Sequence, residues 1–232
     1  MKALCLMHVG YEDLGSMEPL LKKKGYQVEY VHLYNDSYVL PSPDQIDALI
    51  IMGGPMSVND SDKFPWIFAE KKFIAKCIQN QIPTIGVCLG AQLIASVLGS
   101  KVYKNKFEEV GWFDVTVTKE AKSLNFPFSG NFLAFHWHAE TFEIPQDAVH
   151  IAKNSTCANQ AFLYHKHVLA LQFHLETMHE NALNLCQNSQ DLIQSQSVQS
   201  ASQMLKVDSA YQKLESNMEA VIEWFFHLNE NR

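Results

Sequence analysis

The chain has 232 residues, of which 47% are hydrophobic and 19% are charged, and its formal net charge at pH 7 is -7. This composition is typical of a globular protein with one sizeable α/β domain and a small appendage. The negative charge disfavours general attraction to nucleic acid or to an anionic membrane, so we expect neither as a partner. Because every apolar run is short, we expect no membrane span and no signal peptide.

The cysteines also indicate a cellular compartment. There are 5 of them, scattered along the chain, and they are Cys5, Cys77, Cys88, Cys157 and Cys186. An odd number without regular spacing is unlike a disulfide framework. We therefore expect a reducing, cytoplasmic environment, in which a reactive thiol persists.

The first hundred residues alternate apolar runs with amphipathic runs. Strands are predicted at residues 3–9, 28–33, 48–52 and 83–87. Helices are predicted from Ser16 to Lys24, from Pro65 onward, and over residues 91–98 before Gly99. Strands that alternate with helices predict an α/β fold with a doubly wound, mostly parallel sheet flanked by helices. Its sites are expected beyond the carboxyl ends of the strands.

The second half has a different pattern. Shorter strands are predicted at residues 110–117, 132–137, 149–152, 161–164 and 168–173, which indicates a partly antiparallel extension of the sheet. Residues 187–217 are rich in Gln and Ser, but apolar residues such as Leu192 and Ile193 favour a solvated helix over a linker. A final amphipathic helix has the apolar face Tyr211, Leu214, Met218, Val221, Ile222, Phe225 and Leu228.

This pattern divides the chain into two parts. Residues 1–186 are expected to form the main domain, and residues 187–232 a helical extension packed on it. The alternative for the last helix is that its apolar face binds a partner protein.

Cys88 stands at a predicted strand–turn–helix junction, within residues 83–93. Such a turn lifts a nucleophile above the edge of the sheet. The free N–H groups at the following helix N-terminus face any developing oxyanion. The alternative is that Cys88 is a buried core cysteine, because free cysteine is among the most buried residue types.

Two further stretches complete a possible catalytic set. The strand at residues 168–173 leads into His174-Leu175-Glu176. Residues i and i+2 of a strand share a face, so Glu176 can orient His174 while its other ring nitrogen faces a thiol. The turn Gly53-Gly54-Pro55 follows another buried strand and suits an oxyanion hole. Together with Cys88, these stretches indicate a cysteine nucleophile with a histidine base.

These motifs resemble those of a known family. Gly-Gly-Pro at residues 53–55, Gly-Val-Cys-Leu-Gly-Ala-Gln at 86–92 and Gln-Phe-His-Leu-Glu at 172–176 are similar to the class I, triad-type glutamine amidotransferase domain. The resemblance spans about residues 1–185 and is strongest to free-standing members that are similar to the glutaminase domain of GMP synthase. It implies a flavodoxin-like fold and a hydrolase that cleaves the γ-glutamyl amide bond of glutamine or of another γ-glutamyl compound.

The resemblance also implies roles for individual residues. Cys88 would form a thioester, His174 would transfer protons and Glu176 would orient His174. The backbone N–H groups of Gly54 and Leu89 would form the oxyanion hole. Many members have proline between the histidine and the glutamate, where this chain has Leu175.

Substrate contacts are implied at five positions: Gly53, Gln92, Trp137, His138 and Ala139. Ala139 stands where glycine is common in the family, which is a small change if the contact is through the backbone. The alternatives are that Gln92 is an amide on a helix surface and that Trp137 and His138 simply fill a strand end. The nearby stretch 109–112, Glu-Val-Gly-Trp, matches an acidic-x-Gly segment of the family, but we assign it no role.

The histidines allow a metal hypothesis as well. His136 and His138 would share one face of a strand, as zinc ligands do. A third ligand would, however, have to be His174 or a cysteine. His165 and His167 flank a predicted hairpin turn, where exposed histidines are common. We therefore expect no metal site and no cofactor.

Three kinds of function fit these observations. The chain has no G-x-x-x-x-G-K-[ST] loop, so we do not expect it to drive an ATP-dependent amination by itself. The first possibility is a self-sufficient hydrolase, and the second is a glutaminase subunit that supplies ammonia to a separate synthetase. The third is a catalytically silent regulatory module, which an intact set of Cys88, His174 and Glu176 disfavours.

Overall fold

The computed structural model describes residues 1–188 and 197–230. Its strands are Lys2–Met7 (β1), Gln27–His32 (β2), Ala48–Ile51 (β3), Thr84–Val87 (β4), Val102–Val117 (β5), Asn131–Phe142 (β6), Ala148–Lys153 (β7), Ala161–Tyr164 (β8) and Val168–Leu171 (β9). Its α-helices are Met17–Lys23 (α1), Trp66–Gln79 (α2), Leu89–Val97 (α3), Lys119–Ser123 (α4), His179–Asn188 (α5), Ala201–Leu205 (α6) and Asp208–His227 (α7).

The described strands form one nine-stranded sheet in the order β2-β1-β3-β4-β9-β8-β7-β5-β6. Strands β2, β1, β3, β4 and β9 run parallel to one another. Strands β8, β7, β5 and β6 continue the sheet with antiparallel pairings. The α/β fold that the sequence predicted, with a parallel sheet and a partly antiparallel extension, is confirmed.

Helices cover both faces of the parallel part, which explains its apolar sequence. All residues of β3, β4 and β9 are buried, as expected for strands that have no solvent-facing side. On one face the core joins Met17 and Leu21 of α1 to Phe225 of α7. On the other it joins Ile74 of α2 to Leu93 of α3.

Helix α7 packs its predicted apolar face into the first of these cores, where Val221, Ile222 and Phe225 are at most 1% exposed. At its border, Lys23 at the end of α1 contacts Glu219 at 2.7 Å, and Lys24, the next residue, contacts Glu223 at 2.8 Å. The division of the chain at residue 186 stays a prediction, and Leu192 and Ile193 lie outside the described residues. No helix in the described part is long and apolar enough to cross a membrane.

Several element boundaries differ from the prediction. Strand β9 ends at Leu171, so His174 and Glu176 are not strand neighbours. The chain leaves the strand because the backbone of His174 pairs instead with Phe135 of β6, with N···O distances of 2.8 and 3.2 Å. Strand β6 is longer than predicted and includes residues 137–139. Ser16 occupies the N-cap position of α1 without a capping side-chain hydrogen bond.

Candidate active site

Cys88 lies between β4 and α3 in a strained turn. Its φ of 52° and ψ of -108° place it in a region that non-glycine residues rarely adopt. The turn brings α3 close to β3: a Cβ built on Gly90 would lie 2.2 Å from the carbonyl oxygen of Ile51. The predicted strand–turn–helix junction is therefore present, with the helix starting directly after the cysteine.

His174 and Glu176 meet although they do not share a strand. The Nδ1 atom of His174 lies 2.6 Å from Glu176 Oε1, and both side chains are buried. Burial lowers the pKa of His174, but the Glu176 carboxylate and the neighbouring Cys88 thiol outweigh it and hold this pKa well above its usual value. The Nε2 atom has no aligned hydrogen-bond partner among the described residues. Glu176 thus fixes the ring on one side, and the raised pKa of His174 indicates Cys88 as its neighbour.

The Gly53-Gly54 turn is held from behind by a second histidine–glutamate pair. The Nδ1 of His8 lies 2.9 Å from the Gly53 carbonyl oxygen, and its Nε2 lies 2.9 Å from Glu70 Oε1. Both side chains are fully buried. A Cβ on Gly54 would lie 2.9 Å from His8 Cβ, so only glycine fits this packing without a shift.

A cavity of about 380 Å³ opens in front of Cys88. Its walls include seven of the predicted site residues, namely Gly54, Cys88, Gln92, Trp137, His138, Ala139 and His174. Gly53, Leu89 and Glu176 are not part of this lining, but the first two are next in sequence to Gly54 and Cys88, and Glu176 contacts His174. Cys88 is both a core residue and a cavity residue, because it is 6% exposed and belongs to the core beneath the sheet edge.

The predicted substrate-contact residues surround the thiol. Cys88 Sγ lies 3.6 Å from the Trp137 carbonyl oxygen. Gln92 is buried, so the interpretation of its side chain as a surface amide is wrong. Its Nε2 donates to the Glu140 carbonyl at 3.2 Å and to Gln172 Oε1 at 3.1 Å. These contacts tie α3 to the cavity wall.

Sequence reasoning missed Glu12, which lies in the loop after β1. Its carboxylate lines the cavity together with His174. Burial raises the pKa of Glu12, and the Glu176 charge adds to this, while His174 and His8 act in the opposite direction. No motif marked this residue, because only the folded chain brings it to the cavity.

Sequence reasoning also missed a buried cluster of Glu109, His136 and His138, of which His138 lines the cavity. The expectation that a third ligand would have to be His174 or a cysteine is wrong, because a carboxylate oxygen of Glu109 lies close enough to His136 and His138 to offer a third ligand atom. The sequence signal that could have pointed to Glu109 is the acidic-x-Gly stretch at residues 109–112, to which we assigned no role. The prediction that His165 and His167 are exposed holds only for His165, because His167 is 4% exposed.

Comparison with known proteins places these motifs in a family context. The family model for class-I glutamine amidotransferase matches residues 16–189. The glutamine amidotransferase-like protein YfeJ of Salmonella typhimurium is 27% identical over 197 residues, which cover 82% of this chain and 82% of that protein. A glutamine-hydrolysing GMP synthase subunit from Thermoplasma volcanium is 30% identical over 184 residues, covering 74% and 86% of the two chains.

A solved structure agrees with the fold. The crystal structure of a glutamine amidotransferase from Methylobacillus flagellatus superposes with a TM-score of 0.88 and 27% identity over 98% of this chain and 94% of that one. The strained cysteine turn and the His174–Glu176 pair thus lie within a family match that covers most of the chain. The protein belongs to the class-I glutamine amidotransferase family.

Proposed function

We propose that this protein hydrolyses the γ-glutamyl amide bond of glutamine or of a small γ-glutamyl compound, with Cys88 as the nucleophile. The observation that carries the proposal is the position of Cys88 in one cavity with a histidine whose Nδ1 is held by Glu176 at 2.6 Å. The other ring nitrogen is left for proton transfer. This is the nucleophile–base–orienter arrangement of covalent amide hydrolysis.

In the acylation step, Cys88 Sγ attacks the δ-carbon of the γ-glutamyl group and forms a C–S bond. His174 Nε2 takes the thiol proton and delivers it to the leaving nitrogen as the C–N bond breaks. The backbone N–H groups of Gly54 and Leu89 receive the charge that develops on oxygen. Glu176 stabilises the imidazolium while the proton is on His174.

In the deacylation step, water attacks the thioester and His174 takes one of its protons. The C–S bond breaks, the proton returns to Cys88, and the γ-carboxylate product is released. The amine or ammonia has already left in the acylation step. The segment from Trp137 to Ala139 and the side chain of Gln92 would bind the α-amino and carboxylate groups of the glutamyl part. All of these chemical steps use groups of this chain.

A second candidate is a glutaminase subunit that passes ammonia to a separate synthetase. The relative that favours it is the glutamine-hydrolysing GMP synthase subunit from Thermoplasma volcanium. We favour the self-sufficient hydrolase, because α7 uses its apolar face within the fold. His174 and Glu176 are also already paired without a partner chain.

The test is turnover of the purified chain with glutamine and with a panel of γ-glutamyl dipeptides, measured by glutamate release. Cys88→Ala should reduce turnover on the order of a thousandfold or more. Cys186→Ala is the matched control, since this cysteine is only half-buried and lies outside the cavity lining. Activity that appears only after a synthetase is added would favour the partnered glutaminase.

A further inference from the structure

Glu109, His136 and His138 place three potential ligand atoms next to one another in the interior. Glu109 pairs with His138 across β5 and β6, and His136 lies two residues before His138 on the same strand face. All three residues are at most 6% exposed. The arrangement is built into two long paired strands and does not depend on a loop.

The distances suit one metal ion better than a set of hydrogen bonds. His138 Nε2 lies 3.2 Å from Glu109 Oε2, and His136 Nδ1 lies 3.4 Å from that nitrogen and 3.9 Å from that oxygen. The last two distances exceed the usual range of good hydrogen bonds. A point in the plane of the three atoms lies at the same distance, about 2.0 Å, from each of them. This agrees with the roughly 2.0–2.2 Å found for nitrogen and oxygen ligands of Zn²⁺.

The surrounding groups leave these atoms ready to act as ligands. His138 Nδ1 lies 3.1 Å from the Glu140 carbonyl oxygen, which can only accept, so Nδ1 carries the proton. In the neutral ring, Nε2 then has its lone pair directed towards the cluster. The Glu109 carboxylate accepts hydrogen bonds from Asn154 at 2.6 Å and from Gln160 at 2.7 Å. Outer hydrogen bonds of this kind orient metal ligands in proteins.

We propose that Glu109, His136 and His138 form a site for a divalent transition-metal ion, with Zn²⁺ as the best fit. Two imidazole nitrogens and one carboxylate oxygen are a donor set that zinc accepts. The ion would link β5 to β6 directly behind Trp137 and His138, and would thereby hold the wall that contacts Cys88. His138 belongs both to this cluster and to the cavity wall of the proposed hydrolase. Zn²⁺ binding is measured without turnover, so either proposal can fail without the other.

A single shared proton is the competing explanation. A positively charged His138 could donate to Glu109 and partly to His136 without any metal. A second competitor is metal bound at Cys88 and His174, because a thiolate and an imidazole also bind Zn²⁺. The experiment must therefore distinguish metal bound at the cluster from metal bound at Cys88. It must also distinguish a bound metal ion from a shared proton.

The experiment measures binding of Zn²⁺ to the full chain, stripped with a chelator, by isothermal titration calorimetry. Co²⁺ binding is followed in parallel by visible absorption. Both are done in the Cys88→Ala variant as well as in the unmodified protein. We expect one bound ion per chain in both, with Co²⁺ absorption bands of nitrogen and oxygen ligation and no sulfur charge-transfer band. Loss of binding in Cys88→Ala, or binding in neither protein, would overturn the proposal.

Variants of the cluster test the ligands one by one. His136→Leu should weaken Zn²⁺ binding by more than the roughly 10- to 100-fold that losing an outer partner costs. His150→Leu, on the adjacent β7 and outside the cluster, is the control and should bind Zn²⁺ unchanged. If His136→Leu does not fold, the near-isosteric Glu109→Gln takes its place. Unchanged affinity in a folded cluster variant would contradict the assignment.

Discussion

Two histidine–glutamate pairs lie on either side of the Gly53-Gly54 turn, and they differ in what the second ring nitrogen does. In the His174–Glu176 pair, Nδ1 is bound and Nε2 has no aligned partner among the described residues. In the His8–Glu70 pair, one nitrogen contacts a carbonyl and the other a carboxylate. The same two residue types thus leave one ring able to exchange a proton and make the other a fixed support.

The difference follows from position in the sheet. His174 lies beyond the end of β9 and lines the cavity. His8 follows β1 and is covered by α2, where its ring stacks on Trp66 with 5.3 Å between centroids. A ring that is enclosed on all sides cannot reach a substrate. Both rings are buried, so contact with the cavity and the number of hydrogen-bond partners, and not residue type or burial, separate a candidate base from a supporting residue.

The largest effect is expected from replacing His174, whose Nε2 is the candidate proton carrier. His174→Asn should lower turnover of the best γ-glutamyl substrate about a thousandfold or more, because the thiol and the leaving nitrogen lose their proton carrier. Steady-state kinetics with the purified variant measure this. His8→Asn is the comparison and should retain far more activity. Equal losses would remove the distinction between the two rings.

Exchanging the two carboxylates for amides sharpens the comparison. Glu176→Gln should lower kcat by about a hundredfold or more, because the imidazolium loses its stabilising charge. Glu70→Gln should lower kcat much less and should mainly reduce the free energy of unfolding, by about 1–3 kcal/mol. Kinetics and urea denaturation of both variants measure the two quantities. The reverse pattern would identify His8 and Glu70 as the chemically active pair.

The pH dependence of stability tests whether His8 is charged. Burial lowers its pKa, but Glu70, the Gly53 carbonyl and Glu12 together raise it above 6.5. A raised pKa in the folded state gives a stabilisation that is complete below 6.5 and is lost as the pH rises through the folded value. The difference in unfolding free energy between the unmodified protein and Glu70→Gln should therefore shrink at alkaline pH. A constant difference would mean a neutral His8.

A labelling experiment gives the smallest and cheapest test. Burial raises the pKa of the thiols of Cys5, Cys77, Cys157 and Cys186. Cys88 alone among the cysteines lines the described cavity beside a histidine. Brief treatment with iodoacetamide at neutral pH, followed by mass spectrometry, should modify Cys88 first, and less so in His174→Asn. Preferential labelling of another cysteine would argue against an activated thiol.

The sequence predicted the parallel part of the molecule better than the antiparallel part. A buried run such as Ala48–Ile51 predicts a central strand, because apolar residues on both strand faces require helices on both sides of the sheet. Strands β5 and β6 were predicted too short. The first residues of β5 are exposed or half-buried, and the missed end of β6 includes the polar residues His138, Glu140 and Thr141. Polar ends of this kind do not differ from loops in composition.

For the candidate site, sequence motifs identified the residues but not all of the geometry. His174 and Glu176 were expected to meet as neighbours on a strand, yet they meet in a segment held by Phe135 of β6. Glu12, His8 and Glu70 carried no signal, because their positions depend on contacts between distant segments. Local motifs thus indicate the candidate reactive groups, whereas long-range packing determines which residues support them.

The position of β9 at the centre of the sheet determines when, during synthesis and folding, Cys88 comes close to His174. Strand β9 pairs with β4 on one side and β8 on the other, although β4 precedes it by about eighty residues. During synthesis, Cys88 and its turn leave the ribosome long before His174, which follows β9. Until β9 docks, the edge of β4 is open and the cysteine has no imidazole beside it. The nascent chain therefore carries an unassisted thiol, and the candidate site is completed only when the centre of the sheet closes.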